Sequence, residues 1–169
     1  MRYCAPPRVI ASIFVLICCM ILRMGQGNSV SAPPVSMPGG DLSGPSQTIV
    51  WHYLRQAGDS GMYVFRITNH NTTEPHNHLF HEVVLIESGT AEHVSAEGTR
   101  RLRPGDVIVI RPQVWHGYLA PRGLGLINCL IDAPLFQRIA PLLQSVQGAF
   151  ELLRQRPRDP RRTAPTVLH

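Results

Sequence analysis

From residue 49 to residue 132 the sequence alternates short apolar runs with polar or glycine-containing turns, at spacings of about ten residues. Most of these runs are rich in β-branched and aromatic residues, which favour β-strands. The runs lie at residues 62–68, 81–87, 91–95, 99–103, 106–110, 114–119 and 123–131. Short strands in such regular succession are typical of an all-β sandwich or barrel. The pattern therefore predicts a mainly β fold, a jelly roll, for residues 49–132.

The hydrophobic period changes after residue 132. Apolar residues then recur at steps of three and four, which is the pattern of one apolar helical face. These residues are Leu135, Ile139, Leu142, Leu143, Val146, Phe150 and Leu153. Asp132 and Pro134 are typical of a helix start, and Pro141 is expected to break or kink the run, so we predict a pair of amphipathic helices over 133–155. Because the run at 106–110 is apolar on both strand faces, its outer face must also be buried. The helices could pack on that face of their own barrel or on a second subunit.

The flanks differ in composition from this region. Residues 1–24 form a hydrophobic segment whose uncharged stretch, 9–22, is shorter than a membrane-spanning helix of about 20 residues but suits a secretory signal. The alternative is a start codon assigned too far upstream. The protein is membrane-anchored or exported in the first case and cytoplasmic in the second. Residues 25–48, rich in Gly, Ser and Pro, predict a disordered linker, and residues 156–169 predict a basic disordered tail.

Charge and cysteine content say little about function. The net charge is +5 and all 16 basic residues are arginine, a bias that coding preference explains at least as readily as selection for nucleic acid. Cys129 stands alone in an apolar strand and is interpreted as a small buried hydrophobic residue. The remaining cysteines lie in or beside the N-terminal apolar run, so the sequence has no disulfide framework.

Histidine and glutamate residues after the first long turn indicate chemistry. His76, His78 and Glu82 are separated by even numbers of residues, so in extended chain their side chains point to one face. Two imidazoles and a carboxylate on one face are a half-site for a divalent metal, and His116 is a fourth candidate ligand. His81 has the opposite parity and is interpreted as structural.

Two motifs around these residues resemble those of the cupin superfamily. His76-x-His78-x-x-x-Glu82 with a following glycine resembles the first cupin motif, and the stretch PGDVIVIRPQVWH ending at His116 resembles the second. The second departs from the usual pattern at Gln113, where cupins often have glycine. Among cupins, the sequences HNHLFHEVVLIESGT and RPGDVIVIRPQVWHGY are most similar to the N-terminal sensor domains of AraC-type transcription regulators, over residues 51–153.

This resemblance implies a cupin barrel, a double-stranded β-helix or jelly roll, followed by the helix pair. It also implies a small, sugar-like effector in the barrel and a homodimer formed through the helices. Such regulators bind DNA through a C-terminal helix-turn-helix domain that this sequence lacks, so the expectation is a regulator truncated of its DNA-binding half.

The metal set has two interpretations. His76, His78, Glu82 and His116 are ligand types that Fe, Mn, Ni or Zn accept as divalent ions. Alternatively, they are the inherited lining of a barrel that binds an organic ligand without metal. Further candidates for contacts with the ligand are Trp115 and Tyr118 as stacking faces, His93 at the cavity mouth, and Arg66 and Arg111 as partners of hydroxyl or carboxylate groups.

Two functions follow from these patterns. The first, which we favour, is a non-enzymatic sensor of a small effector that takes part in regulation of transcription. The second is a small metal-dependent cupin enzyme, a dioxygenase or isomerase, in which the metal acts as a Lewis acid or activates oxygen. It would be extracytoplasmic if residues 1–24 are a signal. Turnover that is lost on His76→Ala or His116→Ala would distinguish the enzyme from the sensor.

Overall fold

The computed structural model describes residues 47–49, 61–145, 149–154 and 165–168. The predictions for residues 1–24, for 25–46 and for most of the tail lie outside these described residues. In chain order the elements are β1 (Gln47–Ile49), β2 (Met62–Ile67), β3 (Thr73–His78), β4 (His81–Ser95), β5 (Gly98–Leu102), β6 (Val107–Ile110), β7 (His116–Ile131), α1 (Ala133–Gln144), α2 (Ala149–Arg154) and β8 (Thr166–Leu168).

Two long antiparallel strands, β4 and β7, hold the fold together, because each belongs to two sheets in succession. The first half of β4 pairs with the second half of β7 and with β6, while β2 and β8 complete that sheet in the order β2-β7-β4-β6-β8. The other halves pair with each other and with β3 and β5, in the order β1-β3-β7-β4-β5. Buried residues from both sheets form one cluster, so the sheets enclose a common core. The prediction of a mainly β jelly-roll barrel is confirmed.

The long strands bend where the sequence predicted that strands would end. Residues 81–87 and 91–95 are parts of one strand, β4, whose register with β7 shifts between Ile86 and Glu92. Gly89 lies in this bend with φ 70°, and a Cβ there would overlap the backbone of Gly123 and Arg122 on β7. The turn signals therefore mark a bend in continuous pairing, since glycine allows both the positive φ and the close approach of two backbones.

Each face of the first sheet packs against a different apolar cluster. Along β6, Ile108 and Ile110 belong to the inner cluster, whereas Val107 and Val109 belong to an outer one. The outer cluster also contains Leu135 of α1 and Leu152 of α2. The helices therefore cover the outer face of their own barrel, as the doubly apolar strand requires.

The helix pair is present with one difference from the prediction. Asp132 caps α1, its Oδ1 accepting a hydrogen bond from Leu135 N at 2.6 Å. The expected break at Pro141 is wrong, because α1 continues to Gln144 and α2 begins only at Ala149. Because proline has no N–H, Pro141 donates no hydrogen bond to the carbonyl of Gln137. Both residues are exposed, so water can donate to that carbonyl instead.

Both flanking segments contribute a strand, which corrects two boundaries. Gln47–Ile49 pair in parallel with β3, so residues 47 and 48 are not part of a disordered linker. Thr166–Leu168 pair antiparallel with β6, so this part of 156–169 is not disordered. Leu168 is 2% exposed and joins the outer cluster, which means that tertiary contacts fix the end of a tail that is otherwise rich in arginine and proline. No helix in the described ranges is long and apolar enough to cross a membrane.

Candidate metal and ligand site

Strand pairing brings the predicted metal residues together inside the barrel. His76 lies opposite His116 in the β3–β7 pair, and a two-residue turn after β3 leads to β4, which begins one residue before Glu82. Along β4, Val84 and Ile86 belong to the inner cluster and Val83 to the outer one, so the alternation also directs Glu82 inward.

Three of these side chains form a compact triad. His78 Nε2 lies 2.8 Å from Glu82 Oε2, and His116 Nε2 lies 3.6 Å from the same oxygen. One ligand atom from each of the three lies within 4.8 Å of the others. His76 borders the triad, with its ring centroid 4.4 Å from that of His116, but is not one of its three members. Its Nδ1 donates to the Glu74 carbonyl at 2.8 Å, which leaves Nε2 as its free ligand atom.

The contacts around His78 fit a bound cation. Its Nδ1 donates to the Phe80 carbonyl at 2.8 Å, so the lone pair of the neutral ring is on Nε2, facing the Glu82 carboxylate. Two acceptors 2.8 Å apart repel each other unless a proton or a metal ion lies between them. Ligand atoms about 2.1 Å from a metal are about 3.0–3.4 Å apart for octahedral or tetrahedral angles, a range bracketed by the two measured separations. Both ring nitrogens of His116 are also buried without a hydrogen-bond partner in the described part of the chain.

Burial sets the protonation states of the site. It lowers the pKa of His116 well below its usual value, with neighbouring His76 and His78 acting in the same direction. Burial also lowers the pKa of His76. For Glu82 burial acts to raise the pKa, but contacts with His78 and the charges of the neighbouring histidines outweigh it, and the pKa is lowered. Neutral imidazoles and an ionised carboxylate are the forms that bind metal.

A second polar group lies beside the triad. His93 and Tyr118 are opposite each other in the β4–β7 pair, and with His116 their ring centroids form a triangle with sides of 5.4, 5.6 and 5.6 Å. His93 Nε2 and the Tyr118 hydroxyl are buried and have no hydrogen-bond partner among the described residues. Burial lowers the pKa of His93 to about 4 and raises that of Tyr118 well above its usual value, so both groups are neutral at pH 7.

Two residues of this region were missed in the sequence. Asn128 is an inward position of β7, and its side chain hydrogen-bonds to Glu82. The sequence did indicate a special role for Asn128, because it is a polar residue within an otherwise apolar strand. The second is His70, whose ring lies 5.0 Å from that of Tyr118. It precedes β3 in a turn, where no periodicity indicates direction.

Both arginines proposed as ligand contacts lie elsewhere. Arg66 is exposed and forms a bidentate pair with Glu87 at 2.8 and 3.0 Å, so it lies on the outer face and not beside the triad. On β2 it alternates with Phe65 and Ile67, which face inward. Arg111 is buried, but its Nη1 donates to the Leu152 carbonyl at 3.0 Å and to Thr166 Oγ1 at 3.1 Å, towards α2 and β8.

The other residues singled out in the sequence, Trp115, His81 and Cys129, are all buried. Trp115 is buried immediately before β7. His81 faces the helices, as its parity predicts: its ring stacks on Phe136 at 4.1 Å and its Nε2 donates to the Leu153 carbonyl at 3.2 Å. Cys129 belongs to the outer cluster, and burial raises its pKa to about 12, which suits a packing role.

A two-sheet barrel with an inward His/Glu cluster at the start of its long strands defines the class of protein: it is a cupin. The family model described as AraC-like ligand binding domain matches residues 60–164. The chain belongs to that family.

Two of the three solved structures described next are named as cupins. A putative mannose-6-phosphate isomerase from Ralstonia eutropha JMP134 is 22% identical, with 43% of this chain and 76% of the other covered and a TM-score of 0.40. An RmlC-like cupin from Shewanella frigidimarina NCIMB 400 is 21% identical, with 44% and 68% covered and a TM-score of 0.39. A cupin 2 conserved barrel domain protein from Salinispora arenicola CNS-205 is 23% identical, with 48% and 70% covered and a TM-score of 0.38. No curated protein shows significant sequence similarity.

Proposed function

We propose that this barrel is the effector-binding part of a transcription regulator, and that a small, polar, sugar-like molecule binds at the buried cluster. The observation that carries the proposal is the set of interior polar atoms without partners in the described residues: Tyr118 OH, His93 Nε2 and both nitrogens of His116. A buried polar atom left unpaired costs about 1–3 kcal/mol. A bound molecule that satisfies several of them recovers that cost.

A divalent transition metal is the second part of the proposal. His78, Glu82 and His116 would hold it, with His76 adjacent as a possible fourth ligand, and Fe, Mn, Ni or Zn suits this donor set. The metal would act as a Lewis acid towards an oxygen atom of the effector.

The contacts of β4 supply a route from the site to the helices. Glu82 belongs to the triad, and the adjacent His81 donates a hydrogen bond to the Leu153 carbonyl of α2. Arg111 follows the β6 residue that pairs with Glu82, and it donates a hydrogen bond to the Leu152 carbonyl of the same helix. These carbonyls belong to the last turn of α2, where helix acceptors need external donors. A ligand that shifts β4 would therefore alter the end of α2, and output would depend on the difference in affinity between two such states. We propose that this output reaches a partner subunit and a DNA-binding domain.

The test combines metal analysis with ligand-induced stabilisation of the full chain. About one equivalent of metal is expected in the unmodified protein and in Glu87→Gln, and a large loss in Glu82→Gln. Glu87 is a matched control because it lies on the same strand and faces outward with Arg66. Thermal unfolding is then followed with a panel of sugars and small acids. If no compound raises Tm in either the metal-loaded or the metal-free protein, the effector-binding proposal is refuted.

A metal-dependent enzyme is the second candidate function. The triad favours it, because two histidines and one carboxylate with open coordination positions are the ligand set of non-haem iron oxygenases. Turnover of a bound small molecule, abolished by His116→Ala while binding persists, would establish it. Binding without any product would leave the sensor as the function.

A further inference from the structure

The buried interior carries an unbalanced charge once a divalent cation occupies the triad. Among the described residues the buried acidic side chains are Glu82 and Asp106. Asp106 faces the turn before β6, where its Oδ2 accepts from Arg103 N at 2.9 Å. Glu82 is therefore the carboxylate that meets the cation, and with neutral imidazoles the site keeps a net charge of about +1. A residual charge in a region closed to water is costly unless an anion neutralises it.

Tyr118 and His93, which lie beside the triad, can donate hydrogen bonds to such an anion. The Tyr118 hydroxyl and His93 Nε2 are buried without partners in the described part of the chain, and both rings lie within 5.6 Å of the His116 ring. A hydroxyl can donate to an anionic oxygen, and the His93 ring can do so in one of its tautomers. Hydrogen bonds to a charged oxygen are shorter and stronger than those to a neutral one.

The two arginines that the sequence offered as ligand contacts do not fill this role. Arg66 pairs with Glu87 on the outside, and Arg111 donates towards α2 and β8. The charge of an anionic ligand at the triad would therefore be met by the bound cation rather than by either of these guanidinium groups. Without the cation, Glu82 would repel the same anion, so its binding should depend strictly on metal.

We propose that the sugar-like effector is a small hydroxylated monocarboxylate, whose carboxylate lies between the cation on the triad and the pair Tyr118 and His93. This inference rests on the proposed ligand-binding function and names the chemical class of its ligand. An uncharged sugar would leave the residual charge in place, and a dianion would reverse it. A hydroxycarboxylate would neutralise the residual charge and also form hydrogen bonds with Tyr118 and His93.

The test compares two ligands of one shape and different charge with an uncharged sugar. The full chain is loaded with Co²⁺, and lactate, lactamide and arabinose are titrated by calorimetry with the visible Co²⁺ spectrum as a second readout. Lactate is expected to bind at least tenfold more tightly than lactamide and to shift the Co²⁺ bands, whereas the metal-free chain binds neither. Equal binding of lactamide or arabinose, or lactate binding without metal, would overturn the inference.

Two variants locate the interaction. Tyr118→Phe removes the hydroxyl and is expected to weaken lactate binding about tenfold, since one hydrogen bond to a charged group is lost. Its Co²⁺ stoichiometry should be unchanged, and Glu87→Gln should bind lactate like the unmodified chain. Unchanged lactate affinity in Tyr118→Phe would also overturn the assignment. If arabinose binds and lactate does not, the ligand class is wrong while the effector-binding function stands; if nothing binds, the function itself fails.

Discussion

Replacing Gly89 by alanine tests the bend that joins the two sheets. Alanine at φ 70° adopts the left-handed region, which costs about 1–2 kcal/mol. Its Cβ would also overlap the carbonyl of Gly123 and the backbone of Arg122 on the neighbouring strand. Because these are backbone atoms of a paired strand, they cannot move aside as a side chain would, and overpacking of this kind costs about 1–3 kcal/mol more. We therefore expect Gly89→Ala to lower the free energy of unfolding by about 2–5 kcal/mol.

Gly98 supplies a matched control. It also has a positive φ, 98°, but a Cβ at this position would meet nothing within 4 Å. Gly98→Ala should therefore cost only the backbone strain, about 1–2 kcal/mol. The difference between the two variants isolates the collision between β4 and β7.

Urea-induced and thermal unfolding measure this difference. For a folded region of about 100 residues, 1 kcal/mol corresponds to about 4–8 °C in Tm, so Gly89→Ala should melt about 10 °C or more below the unmodified protein and clearly below Gly98→Ala. Glu82 lies before the bend, and Ser95 beyond it pairs with His116, so Gly89→Ala should also weaken metal binding. Equal destabilisation by the two substitutions would refute the argument that close backbone approach requires glycine at this bend.

Other positions give smaller and separate effects. Gln113 has φ 68°, so Gln113→Gly should relieve strain and raise the free energy of unfolding by up to about 1 kcal/mol, partly offset by the greater freedom of the unfolded chain, as measured in urea. Asn128→Leu removes a hydrogen bond to Glu82, so metal affinity measured by chelator competition should fall about 10- to 100-fold in a folded protein. Burial lowers the pKa of His81 to about 4 from an ordinary 6.5. The folded state therefore disfavours the protonated ring. The contribution of His81 to the free energy of unfolding should be fully present above about pH 6.5 and should fall by up to about 3 kcal/mol towards pH 4.

Each of these predictions has a result that contradicts it. A Gln113→Gly protein less stable than the original would mean that the Gln113 side chain outweighs the strain of its backbone. Unchanged metal affinity in Asn128→Leu would show that Glu82 is oriented without Asn128. His81→Leu should flatten part of the acid decline, and the part that remains is expected from the other buried histidines, His76, His93 and His116, whose pKa values are also lowered. An identical pH profile in His81→Leu would remove His81 as a cause.

Local periodicity predicted the features that depend on neighbouring residues. The strand segments, the helix pair and the inward face shared by His78 and Glu82 all follow from side-chain alternation, and the fold they predict is confirmed. The same alternation along β2 places Arg66 on the face opposite to Phe65, away from the inner cluster. Alternation could not indicate the role of Arg111, because its partners, the end of α2 and Thr166, are more than 40 positions away in sequence.

Tertiary pairing overrode local signals at other places. Ser88-Gly89 looks like a turn, but β4 continues because β7 pairs with it on both sides of the bend. The tail looks disordered, but β6 has an open edge that Thr166–Leu168 fill. In each case the deciding partner lies too far along the chain for a local pattern to include it.

The sharing of β4 and β7 between both sheets also determines when the site can form during folding. His81 pairs with Ile131 and Ser95 with His116, so the segment between them must close as a long loop before either sheet is complete. Contacts of such sequence separation are formed slowly, on a scale of about milliseconds to seconds in comparable β proteins. His78 and Glu82 are close in sequence, but His116 reaches them only after this closure. A bound metal would therefore act after the rate-limiting step, and it should slow unfolding while leaving the folding rate nearly unchanged.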